Sequence, residues 1–125
     1  MPKTESQLMR ESMQLALAAG ETMVAESRAR INETGDRVLV IVTESRILWR
    51  GVAAIHNASA FPLQEISFAS IIRAREWRSH GRAHIELTAD VGRRVVFEFN
   101  RPDASAALAV RDRIDPLRRS PEASP

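Results

Sequence analysis

Residues 37–43 read Arg-Val-Leu-Val-Ile-Val-Thr, five consecutive aliphatic side chains, mostly β-branched, with turn chemistry on either side. Two substituents on Cβ suit a pleated sheet better than a helix. The run is too short to span a bilayer. Because apolar residues occupy both alternating sets, it belongs to a strand covered on both faces. Asn32-Glu33-Thr34-Gly35-Asp36 precedes it as a turn in which Gly35 is free to take positive φ. Glu44-Ser45 leads out of it into Arg46-Ile47-Leu48-Trp49-Arg50, so the run is the middle strand of a meander.

The same punctuation recurs along the chain. Residues 21–31 alternate in part, with Met23 and Ala25 set against Val24, Glu26, Arg28 and Arg30, and form a first strand. Residues 51–60 are a loop. Phe61-Pro62-Leu63 makes only a short edge strand, since Pro62 has no N–H for a ladder, and residues 65–70 make a turn or a brief helical twist. Residues 71–78 are a further strand, and Ser79-His80-Gly81-Arg82 a turn. Ala83, Ile85, Leu87 and Ala89 then alternate against His84, Glu86 and Thr88, which gives a strand with one wet face. After Asp90-Val91-Gly92, residues 93–99 turn Val95, Phe97 and Phe99 inward and Glu98 outward. That is seven short strands in all.

Only the two ends have helical spacing. Thr4 and Gln7 stand at capping-box distance, and Leu8, Met9, Met13, Ala16 and Leu17 follow on one face of a helix expected over 4–19, ended by Gly20. At the other end Asn100 is placed as an N-cap, followed by Pro102 and Asp103. Ala107, Val110, Ile114 and Leu117 supply a buried stripe with Leu108 alongside, and Pro116 ends the helix near Asp115. The expectation is a mainly-β α+β domain over 21–117, an amphipathic helix over 1–20 and a disordered tail over 118–125.

Composition removes several chemistries. Among the 125 residues there is no cysteine, so disulfides, thiolate nucleophiles and zinc–thiolate sites are excluded. The start of the chain has no apolar stretch behind it, so no secretory signal is expected and the protein reads as cytoplasmic. A pI near 10.3 looks basic, yet the formal net charge is only +2. Lys3 is the sole lysine, tyrosine and cysteine are missing, and almost nothing titrates between histidine and arginine. The titration curve is flat, and general attraction to nucleic acid does not follow from it.

The order of elements resembles the pleckstrin-homology-like (PH-like) superfold, and the local text is similar to bacterial PH-like domains of the GRAM and YokE kind. The residues that carry the likeness are Val40-Ile41-Val42-Thr43-Glu44-Ser45-Arg46-Ile47-Leu48-Trp49 and, later, Phe61-Pro62-Leu63-Gln64-Glu65-Ile66. The likeness runs from about Glu21 to about Asp115, leaving the N-terminal helix outside. It implies a barrel of about seven antiparallel strands in two near-orthogonal sheets, plugged by the C-terminal helix. It further implies binding of proteins or lipid headgroups, often with homo-oligomers, and does not imply enzymatic activity.

Two arginine groups are the candidate binding residues. Arg28, Arg30 and Arg37 fall near the places where lipid-binding PH members grip phosphates. Arg28 and Arg30 share a strand face, so two guanidiniums can meet one anion. Glu26, Glu33 and Asp36 stand among them, and a self-neutralising hairpin is the simpler account. Arg73, Arg75 and Trp77 alternate onto one face, with Arg78, His80 and Arg82 close by, a pattern that suits a phosphate, a nucleotide or an acidic peptide. If Ile71 shares that face, Trp77 simply finishes the core. Leu8, Met9, Met13 and Leu17 either pack on the domain's own sheet or form an oligomer or docking helix. His56, His80 and His84 lack a third ligand at metal spacing, and no nucleophile elbow or phosphate loop occurs. No catalytic, cofactor or metal site is expected. The expected function is a non-catalytic interaction module for a protein partner, self-association included. Anionic lipid headgroups are the first alternative and nucleic acid the second.

Overall fold

The computed structural model describes residues 4–14, 17–51, 63–100 and 105–114. Helix α1 (Glu5–Gln14) precedes strands β1 (Met23–Ile31), β2 (Arg37–Thr43), β3 (Arg46–Gly51) and β4 (Gln64–Ser67). A 3₁₀ turn, Phe68–Ser70, leads into β5 (Ile71–Ser79), β6 (Arg82–Ala89), β7 (Arg94–Asn100) and helix α2 (Ser105–Arg113). All seven strands hydrogen-bond into one antiparallel sheet in the order β4-β3-β2-β1-β7-β6-β5. Among the described residues no helix is long and apolar enough to cross a membrane.

The sheet curls hard. β3 and β7 stand three places apart in its order, roughly 14 Å if it were flat. Yet the rings of Trp49 on β3 and Phe97 on β7 meet edge to face with centroids 5.0 Å apart. The inward side chains of every strand consequently share one core, including Val38, Val40, Val42, Ile47, Ile66, Ile71, Leu87 and Phe99. Arg93, next to β7, reaches β4 at the far end of the order. Its guanidinium lies 5.2 Å from the Trp49 ring centroid and donates to the Glu65 carbonyl at 3.1 Å and to Gln64.

Helix α2 lies over this core through Ala106, Ala107, Ala109, Val110 and Ile114. Alanines let the helix axis approach the sheet closely, and Leu108, expected alongside the stripe, instead stands 54% exposed. Asn100 ends β7 rather than capping the helix. Part of the capping comes from a distant strand: the buried Ser27 hydroxyl on β1 accepts the Ala106 N–H at 3.2 Å and lies 3.2 Å from the Ser105 hydroxyl. Replacing Ser27 with alanine is expected to cost about 1 kcal/mol, read as a lower urea midpoint with an unchanged slope.

Three further expectations need correction. A strand lies at Gln64–Ser67, where a turn was expected from residue 65, with Ile66 facing inward opposite Ile47; of the short strand expected at 61–63, residues 61 and 62 lie outside the described residues. Met23 and Ala25 do not share a face, because a bulge between them sends Ala25 to the inner core and Met23 to the outer side. Helix α1 is described over Glu5–Gln14 and residues 17–19 are not helical, so it does not reach residue 19; Gly20 (φ 79°) sits in a turn closed by the Glu21 N–H on the Ala18 carbonyl. Reciprocal bonds between Thr4 and Gln7, at 2.8 and 3.2 Å, hold the first turn of α1. The expected tail at 118–125, Leu117 and the loop residues 52–60 lie outside the described residues.

On its outer side the sheet carries a second, smaller core, Met13 of α1 on Leu39, Ile41 and Leu48, with Leu17, Met23 and Leu63 at its margin. β2 is thus covered on both faces. Of the remaining α1 candidates, Leu8 is exposed and the Met9 side chain lies outside what is described.

Candidate partner-binding face

A bulge between Ile71 and Arg73 decides how β5 faces. Ile71 turns inward and is fully buried, Ile72 stands 56% exposed, and from Arg73 onward the odd-numbered residues point outward. Ile71 therefore does not share the face of Trp77, and Trp77 does not complete the inner core. His80 (φ 53°) and Gly81 (φ 76°) form a two-residue turn with both φ positive, the geometry whose twist matches paired strands. That turn sets Trp77 opposite His84, Arg75 opposite Glu86 and Arg73 opposite Thr88.

The outward side chains build a stacked assembly. The Trp77 and His84 rings lie parallel, 5.2 Å apart and 5° from coplanar, and the Arg75 guanidinium approaches the Trp77 ring at 5.7 Å. Arg94 grips Glu86 through two nitrogens at 2.6 and 2.5 Å, while Arg75 approaches the other carboxylate oxygen at 3.6 Å. Arg82 pairs with Glu98, whose second oxygen is 3.7 Å from His84 Nε2. Both carboxylates lie nearly covered beneath their arginines. Within this assembly Arg75 Nε and His84 Nδ1 are buried with no hydrogen-bond partner among the described residues.

Register joins the two arginine groups that sequence treated separately. One row crosses five strands: Trp77 on β5, His84 on β6, Glu98 on β7, Arg30 on β1 and Arg37 on β2. Arg28 follows Arg30 on the same side, opposite Leu39. Arg28, Arg30 and Arg37 are all exposed, and none makes an ion pair among the described residues. Glu26 turns instead to Arg10 of α1, 2.5 Å away, and does not neutralise the hairpin arginines. Arg30 and Arg37, directly opposed, repel one another unless an anion lies between them.

By this register the outward positions of β1, β2, β5, β6 and β7 carry seven arginines (28, 30, 37, 73, 75, 82 and 94) against three glutamates (26, 86 and 98). The excess of four is twice the +2 of the whole chain, so a small net charge conceals a polarised molecule. Arg78 departs from the group: it pairs with Ala83 on the opposite side of β5. The sequence view missed His84, Glu86, Arg94 and Glu98 as members of this face. Counting back from the two-residue turn at His80-Gly81 finds His84 and Glu86; no local signal finds the others.

His80 Nδ1 lies 2.9 Å from the hydroxyl of its neighbour Ser79. His56 lies outside the described residues. Among the described residues no three His, Cys, Asp or Glu side chains gather as a metal site would require.

No family model matches the sequence, and no curated protein does. Among solved structures the chain is similar to one described as the crystal structure of the C-terminal domain of an unknown protein from Leishmania infantum. The TM-score is 0.61 at 14% identity, covering 88% of this chain and 97% of that one. At that identity the likeness is one of fold alone: a mainly-β domain whose seven antiparallel strands make a single curled sheet.

Proposed function

We propose that the chain is a cytoplasmic, non-catalytic PH-like interaction module that recognises an acidic protein segment on the outer face of β5, β6, β7 and β1. In this reading β1–β4 and β5–β7 are the two near-orthogonal layers of a PH-like barrel, α2 is its plug and α1 an addition to it. The observation that carries the proposal is the Arg75–Trp77–His84 stack, set in one row with Arg30 and Arg37. A half-exposed tryptophan supplies apolar contact area at small entropic cost, and arginines take carboxylates in two-point contacts. β5 also ends the sheet order, so an extended partner can lie along its margin with its acidic side chains over Arg75 and the rest of the row.

Calorimetric titration with a glutamate decapeptide at low salt tests this. Trp77→Ala or Arg75→Ala is expected to weaken binding roughly 10–30-fold, while Arg78→Ala, on the other side of β5, leaves it unchanged. Equal affinities for the Trp77 and Arg78 variants, or no binding by the unaltered chain, would refute the proposal. A single-stranded oligonucleotide that outcompetes the peptide would also overturn it, in favour of a nucleic-acid binder.

A second reading, a peripheral binder of anionic lipid headgroups, is favoured by one observation: Arg28, Arg30 and Arg37 stand exposed together without an ion pair among the described residues. It requires flotation with phosphatidylserine vesicles at low salt, lost in an Arg30→Glu, Arg37→Glu double variant. Absence of the unaltered chain from the vesicle fraction eliminates it.

A further inference from the structure

Resting on the acidic-segment reading, we infer that Arg94 is a positioning residue for that site: by holding the Glu86 carboxylate it keeps Arg75 unbound and open to a carboxylate of the partner. Arg75 stands directly opposite Glu86 on the paired strands, where opposite charges ordinarily meet. Yet it approaches Glu86 Oε1 only to 3.6 Å, beyond hydrogen-bond reach. Its Nε is buried without a hydrogen-bond partner among the described residues, and its guanidinium rests 5.7 Å from the Trp77 ring centroid. A guanidinium carries five N–H donors, and among the described residues Arg75 uses none of them.

The reason lies on the next strand. Glu86 is buried, and a buried carboxylate needs charged donors. Its direct neighbour on β7 is Val96, whose side chain has none to offer. Arg94, two residues back and paired with Thr88, reaches across diagonally and sets two nitrogens on Glu86 Oε2 at 2.6 and 2.5 Å. Charge-assisted bonds of that length are the strong kind. With Glu86 satisfied from β7, Arg75 has no need to close on it. The Arg75 side chain stays 30% exposed beside Trp77, placed to grip an incoming carboxylate at two points. Glu86 is thus an internal competitor for Arg75, and Arg94 removes the competition. Without Arg94, the buried carboxylate keeps one arginine opposite it and draws that arginine down, away from the indole and the partner.

A double-mutant cycle tests this by calorimetry with the glutamate decapeptide at low salt. Arg94→Gln is expected to weaken binding roughly 5–10-fold in the otherwise unaltered chain, and less than about twofold when Glu86→Gln is also present. Equal losses in the two backgrounds overturn the proposal, because a direct contact or a long-range attraction by Arg94 acts whether or not residue 86 is charged. No binding by the unaltered chain removes the acidic-segment reading itself, and the role of Arg94 in it falls too. A measurement without peptide reads the arginine exchange alone. In urea unfolding, Arg75→Ala is expected to lower the midpoint more in the Arg94→Gln variant than in the unaltered chain, since only there does Arg75 hold Glu86. Equal shifts overturn the proposal whatever the peptide does. Arg94→Lys, which keeps the charge but not the two-nitrogen grip, replaces Arg94→Gln if that variant does not fold, and the same comparison with Glu86→Gln decides.

Discussion

Phe97→Ala is expected to destabilise the protein by about 3–5 kcal/mol, a large part of the roughly 5–15 kcal/mol that holds a domain of this size together. Phe97 has no exposed surface, and its ring meets both Trp49 at 5.0 Å and Phe99 at 6.1 Å. It pairs with Ile31 on β1 and Ile85 on β6, so three strands converge on it. Truncation opens a cavity at the place where β3 and β7 meet across the curl, and neither strand can move inward without breaking its ladder. Urea unfolding followed by circular dichroism measures the loss. Leu108→Ala, at a site 54% exposed, serves as the control and is expected to shift stability by less than about 0.5 kcal/mol. Coincident midpoints for the two variants would show that the curl does not depend on this contact.

The next largest effect is expected at Arg46. Its guanidinium bonds Glu21 at 2.9 and 2.7 Å and also pairs with Glu65. Thr43 completes the cluster: its hydroxyl lies 3.0 Å from Glu21 Oε2 and accepts the N–H groups of Ser45 and Arg46 at 3.3 and 3.1 Å. The hydrogen bond from Arg46 is the main reason the Glu21 carboxyl is lowered from 4.5 to about 2, with bonds from Ala18 and Thr43 adding to it against the cost of burial. The same contact pushes the Arg46 guanidinium further above its ordinary range. Arg46→Ala is expected to cost about 2–3 kcal/mol at neutral pH, because a largely covered carboxylate loses its charged partner.

The pH dependence follows from the sign of the shift. A carboxyl depressed on folding contributes its full stabilisation above the unfolded value of 4.5 and loses it as pH falls toward about 2. Urea midpoints measured from pH 6 to pH 2 should fall more steeply for the unaltered chain than for Glu21→Gln. The penalty of Arg46→Ala should shrink over the same range. Parallel curves for the unaltered and Glu21→Gln proteins would remove Glu21 as the source of acid sensitivity.

These residues also show which parts of the molecule local text reveals. The Thr43-Glu44-Ser45-Arg46 phrase is legible because its chemistry is local: a hydroxyl taking two N–H groups across a tight bend. Val95, Phe97 and Phe99 alternate without interruption, and their inward side is read directly. A single inserted residue reverses the alternation at two places: it put Met23 and Ala25 wrongly on one face and left the face of Ile71 open beside Arg73. Nothing in Val24 or Ile72 marks either as the extra residue, since both are good strand formers. Residues 101–104, where the helix was expected to begin, lie outside the described residues; the bond from Ala106 to Ser27, 79 positions away, is one that no neighbouring residue announces. The candidate face was legible only in halves. Arg30 and Arg73–Trp77 join through the pairing of Arg30 with Glu98, a contact between distant parts of the chain that depends on how the whole sheet closes.

That pairing bears on how the polypeptide is made. β1 ends at Ile31 and its second neighbour begins at Arg94, so a nascent chain growing at about 5–20 residues per second leaves one flank of β1 unmatched for roughly 3–12 s. Such a flank invites pairing with a neighbouring nascent chain. Arg28 and Arg30 sit on that strand during the interval, and their like charges oppose stacking between copies. The arginines that the proposed function sets against a partner would thus also act as gatekeepers during synthesis.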